Sequence, residues 1–339
     1  MYSVRYLPVL IMSKAVHLEE VDFIKGLAAI SVIFLHTLPL SILKGTFAVF
    51  HIWQSVPLFL FITFYLGFRN LDKKEDVFRG YYSNDRLWKI FLKIWLPLLI
   101  LAVIETAFFL VVGTKEKAIG CLLCYNNGPG SYYVWCYMQI WLLMPAIYLL
   151  LNWSGIAGGG ILLILGVLLD FLWERYFDLK PGYTCFRYLF ISVPAFMYLK
   201  GVNVKSLSPL VFFSMVYLVL MLYSTIPLYA DPLLPDGWEA QTSLGYFYTL
   251  SLFLLLYKLY TKLKNSKLKQ YITHVGTISW EVFLVQMVLI GSGVLNAVSL
   301  RLFDFAYFQI PFTIIATLSI TLLFAEMYKK MLDRLFKIL

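Results

Sequence analysis

Residues 21–40 read VDFIKGLAAISVIFLHTLPL. About 20 residues is what an α-helix needs to cross the hydrocarbon of a bilayer, and the only ionisable side chains in this stretch are Asp22, Lys25 and His36. Each costs a few kcal/mol or more at bilayer depth, which makes all three functional candidates. Lys25 and His36 are eleven positions apart. At 100° per residue that spacing returns to within about 20° of one face and separates the two by roughly 16 Å along the axis. One helical stripe therefore carries a cation near one end and an imidazole toward the other. Asp22, three residues before Lys25, is placed to pair with it across one turn. It lies about 21 Å from His36 and cannot orient that ring.

Working outward, comparable stretches recur at 47–68, 90–112, 132–151, 156–172, 186–200, 208–224, 244–263, 274–294 and 309–327. The chain is 61% hydrophobic and 14% charged, where soluble proteins run at about half and about a quarter. The reading is an all-α polytopic membrane protein with about ten transmembrane helices, residues 1–339 forming one membrane domain. The longest polar gap, 69–89, has room for a turn and an amphipathic helix but for no core of its own. A net charge of +9 need not mean nucleic acid, since Lys and Arg first report topology. With the N-terminus inside, twenty of the basic residues fall on the inner side and seven, Arg187 among them, on the outer. Both termini are thus expected in the cytoplasm, and the acidic segment 226–243 outside. The start has no apolar run long enough for a cleavable signal, so the first span is expected to serve as its own anchor.

Depth counting looks for a partner to His36 on other helices. Glu105, in the third span, lies about 22 Å from the inner end, as His36 does. Gln139 and Asp170 fall at a similar depth, and Glu281 is shallower, nearer Lys25. A carboxylate beside His36 would hold its tautomer and stabilise imidazolium during proton transfer. His51 and His274 lie near span ends, and His17 lies outside. Cys121 and Cys124 form a CxxC with neither a second pair nor a nearby His, so no metal is expected, and a disulfide or plain packing accounts for them. The glycines 158–160 open an apolar helix, where small residues permit close helix contact.

A basic residue, ten intervening positions and a His, here Lys25 and His36 with Asp22 and Gly26 beside them, resemble the first helix of the acyltransferase-3 family of integral membrane acyltransferases. Further segments follow in that family's order. SVPLFLFITFYLGF (55–68) is similar to its second helix, DRLWKIFLKIWLP (85–97) to the Arg-rich motif opening the third, WCYMQIWLLMP (135–145) to the fourth, and GTISWEVFLVQM (276–287) to the late Ser-Tyr helix. Thr63 and Phe64 stand where Ser-Gly is usual, Asp85 where a second Arg is common, and Lys89 for the last Arg. Gln139 stands where Glu is frequent and Gln286 where His is frequent.

The resemblance implies an acyl group, acetyl being commonest, moved from cytoplasmic acyl-CoA to a hydroxyl of a cell-envelope or lipid-linked glycan in a bacterial inner membrane. On that reading His36 is the general base or transient acyl carrier, with Glu105 as its catalytic partner. Arg86 and Lys89, with Lys25, would hold the phosphates of the donor, and Asp22 and Gln139 would support them. No bound cofactor is implied. A homo-oligomer or an envelope-polymer assembly is compatible with the sequence. A transporter or flippase of an envelope precursor would share the many spans and the basic inner side. Such proteins often carry repeated halves, and no repeat is visible here.

Overall fold

A computed structural model describes residues 18–123, 128–177, 184–224, 243–303 and 305–337. Among them there is helix and no strand, and the molecule is an all-α membrane protein. Helix α1 (Glu19–Thr37) is followed by the short α2 (Leu40–Gly45), two 3-10 turns and α3 (Ser55–Leu71). Then α4 (Val77–Tyr81) and α5 (Asn84–Ile90) lead through a π-helical turn, Phe91–Trp95, into α6 (Leu96–Val111). After α7 (Lys115–Leu122) come α8 (Ser131–Ser154) and α9 (Ile156–Phe177). The 3-10 segment Phe186–Ile191 opens α10 (Ser192–Leu199), and α11 (Ser208–Ser224) and α12 (Tyr246–Lys262) follow. The last helices are α13 (Lys267–Thr277), α14 (Ser279–Ser292), α15 (Val294–Leu302) and α16 (Ala306–Leu335).

Each of the ten apolar stretches lies on helix. Among the described residues four helical runs are long and apolar enough to cross a bilayer, Ala48–Leu71, Val77–Val111, Ser131–Ser154 and Tyr307–Leu335, or five if the bent pair Lys267–Thr277 and Ser279–Ser292 is one span. The helices at 156–172, 186–199 and 205–220 are apolar but shorter. The acidic segment expected outside, the basic N-terminal residues, His17 and Cys124 lie outside the described residues.

The expected span at 274–294 is a bent helix pair. It breaks at Ile278, where α13 and α14 meet at 77°. The polar content explains the break: Lys267, Lys269, Gln270 and His274 make α13 amphipathic, whereas α14 from Val282 to Ile290 is apolar but for Gln286. A helix of the first kind lies along an apolar surface, and one of the second kind can be enclosed by it. What α13 lies along is α1. Gly26 faces the Ile272 carbonyl and Gly276 the Asp22 carbonyl so closely that a Cβ at either glycine would collide with backbone. Two small residues thus let two backbones touch, as in membrane helix pairs.

The main core joins α1, α3, α8, α10, α12 and α14. A second cluster packs Ala29 and Ile33 of α1 against Val282 of α14 and Leu322 and Ala325 of α16. Two long-range hydrogen bonds frame one side of the bundle. Tyr328 Oη donates to the Pro97 carbonyl at 2.5 Å, tying α16 to α6, and Tyr82 Oη donates to the Leu142 carbonyl, tying α4 to α8.

Candidate active site

The framed side encloses a cavity of about 840 Å³. Its lining includes the cations Lys25 of α1, Arg86 of α5, Lys93 of the π turn and Lys329 of α16, together with Glu281, near Lys25 and Lys329, and Asp333. Lys25 Nζ lies 2.5 Å from Asp22 Oδ1, the one-turn pair expected from their spacing, and Lys329 pairs with Asp333. Arg86 and Lys93 join no ion pair among the described residues. The guanidinium carbon of Arg86 instead sits 3.9 Å from the centre of the Tyr81 ring, an arrangement that holds the cation without neutralising it.

Local sequence explains where Lys93 stands. Pro97 has no N–H to offer the carbonyl four residues back, which belongs to Lys93, and its ring crowds that carbonyl. The helix widens there into the π turn Phe91–Trp95, a form that often marks a functional site.

Farther in, the walls are aromatic. Tyr133, Tyr137, Trp141 and Met144 form one stripe of α8, spaced four, four and three residues apart. Phe59 of α3 and Trp280 and Phe283 of α14 complete the lining there. Ring centres are 6.4 Å apart for Phe59 and Tyr133, 6.2 Å for Tyr133 and Tyr137, 6.1 Å for Tyr137 and Trp280, and 5.4 Å for Tyr81 and Trp141. All fall in the range where tilted ring pairs attract.

On α1 the cavity is lined by Lys25 and then Val32, seven residues on. His36 continues that stripe one turn, about 6 Å, past Val32. It is half-buried and is not itself part of the lining. His51 Nε2 meets the Thr46 carbonyl at 2.8 Å, and His274 pairs with Glu326. Among the described residues no hydrogen bond reaches the ring of His36.

The other expected site residues are distributed differently. Lys89 is exposed and does not line the cavity. Glu105 is buried on α6, and no hydrogen bond or ion pair among the described residues joins it to His36. Helices α1 and α6 each pack on α14. There Gln286 is buried, with neither its carboxamide oxygen nor its nitrogen bonded.

Gln139 belongs to a second polar cluster, on α8, α9 and the 3-10 segment. Its Oε1 accepts from the Cys185 backbone N–H at 2.9 Å. Asp170 and Arg187 approach there at 3.3 Å, and Tyr246 Oη donates to the Arg187 carbonyl at 2.9 Å. Arg187, expected on the outer side, is buried, with the Asp170 carboxylate beside it.

With this geometry in view, the match to known families is decisive. A family model described as an acyltransferase domain covers residues 18–326, from the start of α1 to well inside α16. The chain belongs to the acyltransferase-3 family. No curated protein and no solved structure matches it. In this acyltransferase Lys93, Lys329, Tyr81, Trp141 and Trp280 line the cavity although the sequence reading gave them no site role. One signal could have found Lys93: it is seven residues from Arg86, about 20° off its face, whereas Lys89 is about 60° off.

Proposed function

We propose that the chain transfers an acyl group, most simply acetyl, from cytoplasmic acyl-CoA to a hydroxyl of a cell-envelope or lipid-linked glycan in a bacterial inner membrane. One observation carries the reading: a cavity lined by Lys25, Arg86, Lys93 and Lys329 runs along the stripe of α1 that leads from Lys25 through Val32 toward His36. Arg86, Lys93 and Lys25 would receive the phosphates, since guanidinium and ammonium groups suit phosphate oxygens. The thioester arm would extend toward Val32, leaving one helical turn of reach to His36.

The chemistry follows from an imidazole that no hydrogen bond reaches among the described residues. His36 takes the proton of the acceptor hydroxyl. The oxygen adds to the thioester carbonyl, the tetrahedral intermediate expels the thiolate by breaking the C–S bond, and imidazolium returns the proton to sulfur. Transfer of labelled acetyl from acetyl-CoA by purified protein in nanodiscs, with extracted envelope glycan as acceptor, tests the reading. Wild-type protein is expected to label the glycan and His36→Ala protein to label none above background. A folded His36→Ala protein working at the wild-type rate would refute the role of that residue.

A further inference from the structure

The basic residues are not spread evenly along the chain, and one corner carries them without any acid. From Lys258 to Thr277 there are five lysines, at 258, 262, 264, 267 and 269, and no Asp or Glu. The stretch from Arg69 to Lys93 has seven basic residues but sets Asp72, Glu75, Asp76 and Asp85 against them. Topology asks only that Lys and Arg gather on one side of the membrane. It gives no reason to leave them uncompensated, and like charges at close range repel.

The corner between α12 and α13 is held in shape. Helix α12 stops at Lys262, and Ser266 caps α13 by accepting from the Lys269 N–H at 3.2 Å. Gln270 Nε2 donates to Asn265 Oδ1 at 3.1 Å. Lys269 turns inward: its Nζ donates to the Tyr260 carbonyl at 2.9 Å and sits 3.7 Å from the centre of the Tyr260 ring. The other four lysines are exposed, and their ammonium groups join no ion pair or hydrogen bond among the described residues. Apolar side chains stand exposed among them, Leu263 at 39%, Leu268 at 68% and Tyr271 at 50%. None of these residues lines the cavity.

Two properties narrow what such a corner receives. Helix α13 meets α14 at 77°, so it runs across its apolar neighbour rather than along it, as a helix lying in a membrane interface does. Its Ile272 and Gly276 are taken up by α1, whereas Leu268 and Tyr271, three residues apart, share an edge that stays open. Apolar side chains beside free ammonium groups match the boundary where acyl chains meet charged headgroups. A soluble phosphate would use the lysines and leave the apolar edge in water. A neutral headgroup would use the edge and leave the lysines uncompensated.

We propose that this corner, with Lys262, Lys264 and Lys267 as its charge and Leu263, Leu268 and Tyr271 as its apolar edge, is a docking surface for anionic phospholipids of the bilayer. It stands apart from the acyl-transfer reading, which its failure would leave untouched.

Binding of a fluorescent phosphatidylglycerol and of the matching phosphatidylcholine to the full chain in detergent tests it. Wild type is expected to prefer the anionic lipid, by about fivefold for each lysine that meets a headgroup. Lys262→Gln/Lys264→Gln/Lys267→Gln protein should lose most of that preference. Lys73→Gln/Lys74→Gln/Arg79→Gln protein, with the same change in net charge after α3, should keep it. No loss in the first variant, or an equal loss in both, overturns the proposal. A second arm needs no variant: raising salt from about 0.05 M to about 0.5 M should cut the wild-type preference, and a preference indifferent to salt overturns the proposal. Millimolar glycerol 3-phosphate should leave the lipid bound, and displacement would assign the lysines to a free phosphate instead. Poly-glutamate that displaces the lipid from wild type at lower concentration than phosphatidylglycerol itself would assign the corner to an acidic protein.

Discussion

The Arg187 cluster and the cavity are both assembled from polar side chains inside an apolar bundle, and they treat those side chains in opposite ways. In the cluster Asp170 meets Arg187, Gln139 meets the Cys185 backbone, and Tyr246 meets the Arg187 carbonyl. Along the cavity the N–H groups of Trp141 and Trp280 have no hydrogen-bond partner among the described residues, and none of those residues bonds the ring of His36, which continues the lining stripe. Burial is common to the two regions, so burial alone does not mark a site. An unsatisfied group does not mark one alone either, since Gln286 and Thr321 have unbonded polar atoms away from the cavity lining; a place along the cavity is needed as well. A protein has reason to complete the hydrogen bonds of its scaffold, whereas groups reserved for a ligand stay open until the ligand arrives.

That contrast can be broken by separating stability from activity. The largest effect is expected at His36. Substitution by Ala should lower acyl transfer by about 10²–10⁴-fold, the usual contribution of a positioned acid–base group, with the melting temperature in detergent little changed. Asp170→Ala should do the opposite. It strands a buried guanidinium, a loss on the order of 3–5 kcal/mol, visible as a lower melting temperature and a smaller folded fraction, with the rate per folded molecule retained. Should Asp170→Ala protein melt like wild type, the cluster is not the scaffold described here.

A smaller effect belongs to the contact between α1 and α13. Gly276→Ala forces a methyl into the Asp22 carbonyl, and overpacking of this kind costs about 1–3 kcal/mol. Thermal melting checks it, and Gly293→Ala, where nothing lies within 4 Å but the backbone is left-handed (φ 68°), serves as a strain control without crowding. The smallest effect lies at the end of α3. Burial works to raise the Asp72 carboxyl, but hydrogen bonds from Lys200 at 2.6 Å and Tyr148 at 2.7 Å outweigh it and hold it below the ordinary carboxylate range. A depressed carboxylate contributes stability above its unfolded value, near pH 4, and loses it as pH falls through the folded one. The tie between α3 and α10 should therefore weaken only below about pH 4, and by less than ~1 kcal/mol for a pair this exposed. A melt series from pH 7 to pH 3 on Asp72→Asn and wild type should converge at the acid end.

Much of this architecture could be read from the chain alone, for identifiable reasons. Apolar runs announce spans because the bilayer leaves helix as the way to satisfy backbone groups within one segment. The pair of Asp22 with Lys25 and the alignment of Lys25 with His36 follow from helix geometry, which needs no tertiary information. What escaped depends on neighbours distant in sequence. The break at Ile278 comes from the seating of α13 on α1 through Gly26 and Gly276, two hundred and fifty residues apart. The burial of Arg187 depends on Asp170 in another helix. Depth counting gave Glu105 and His36 one level in the membrane but could not say that both helices rest on α14.

The glycine seam also determines which wall of the cavity can yield. Gly26 adjoins Lys25, and Gly276 adjoins Thr277, both lining residues. Where two main chains already touch, there is no side chain left to compress or rotate aside. That flank behaves as a fixed doorpost. The lining also includes Lys93 and Ile94 of the widened turn at Phe91–Trp95, whose hydrogen bonding is already irregular, so that turn is better suited to absorb a swelling of the chamber.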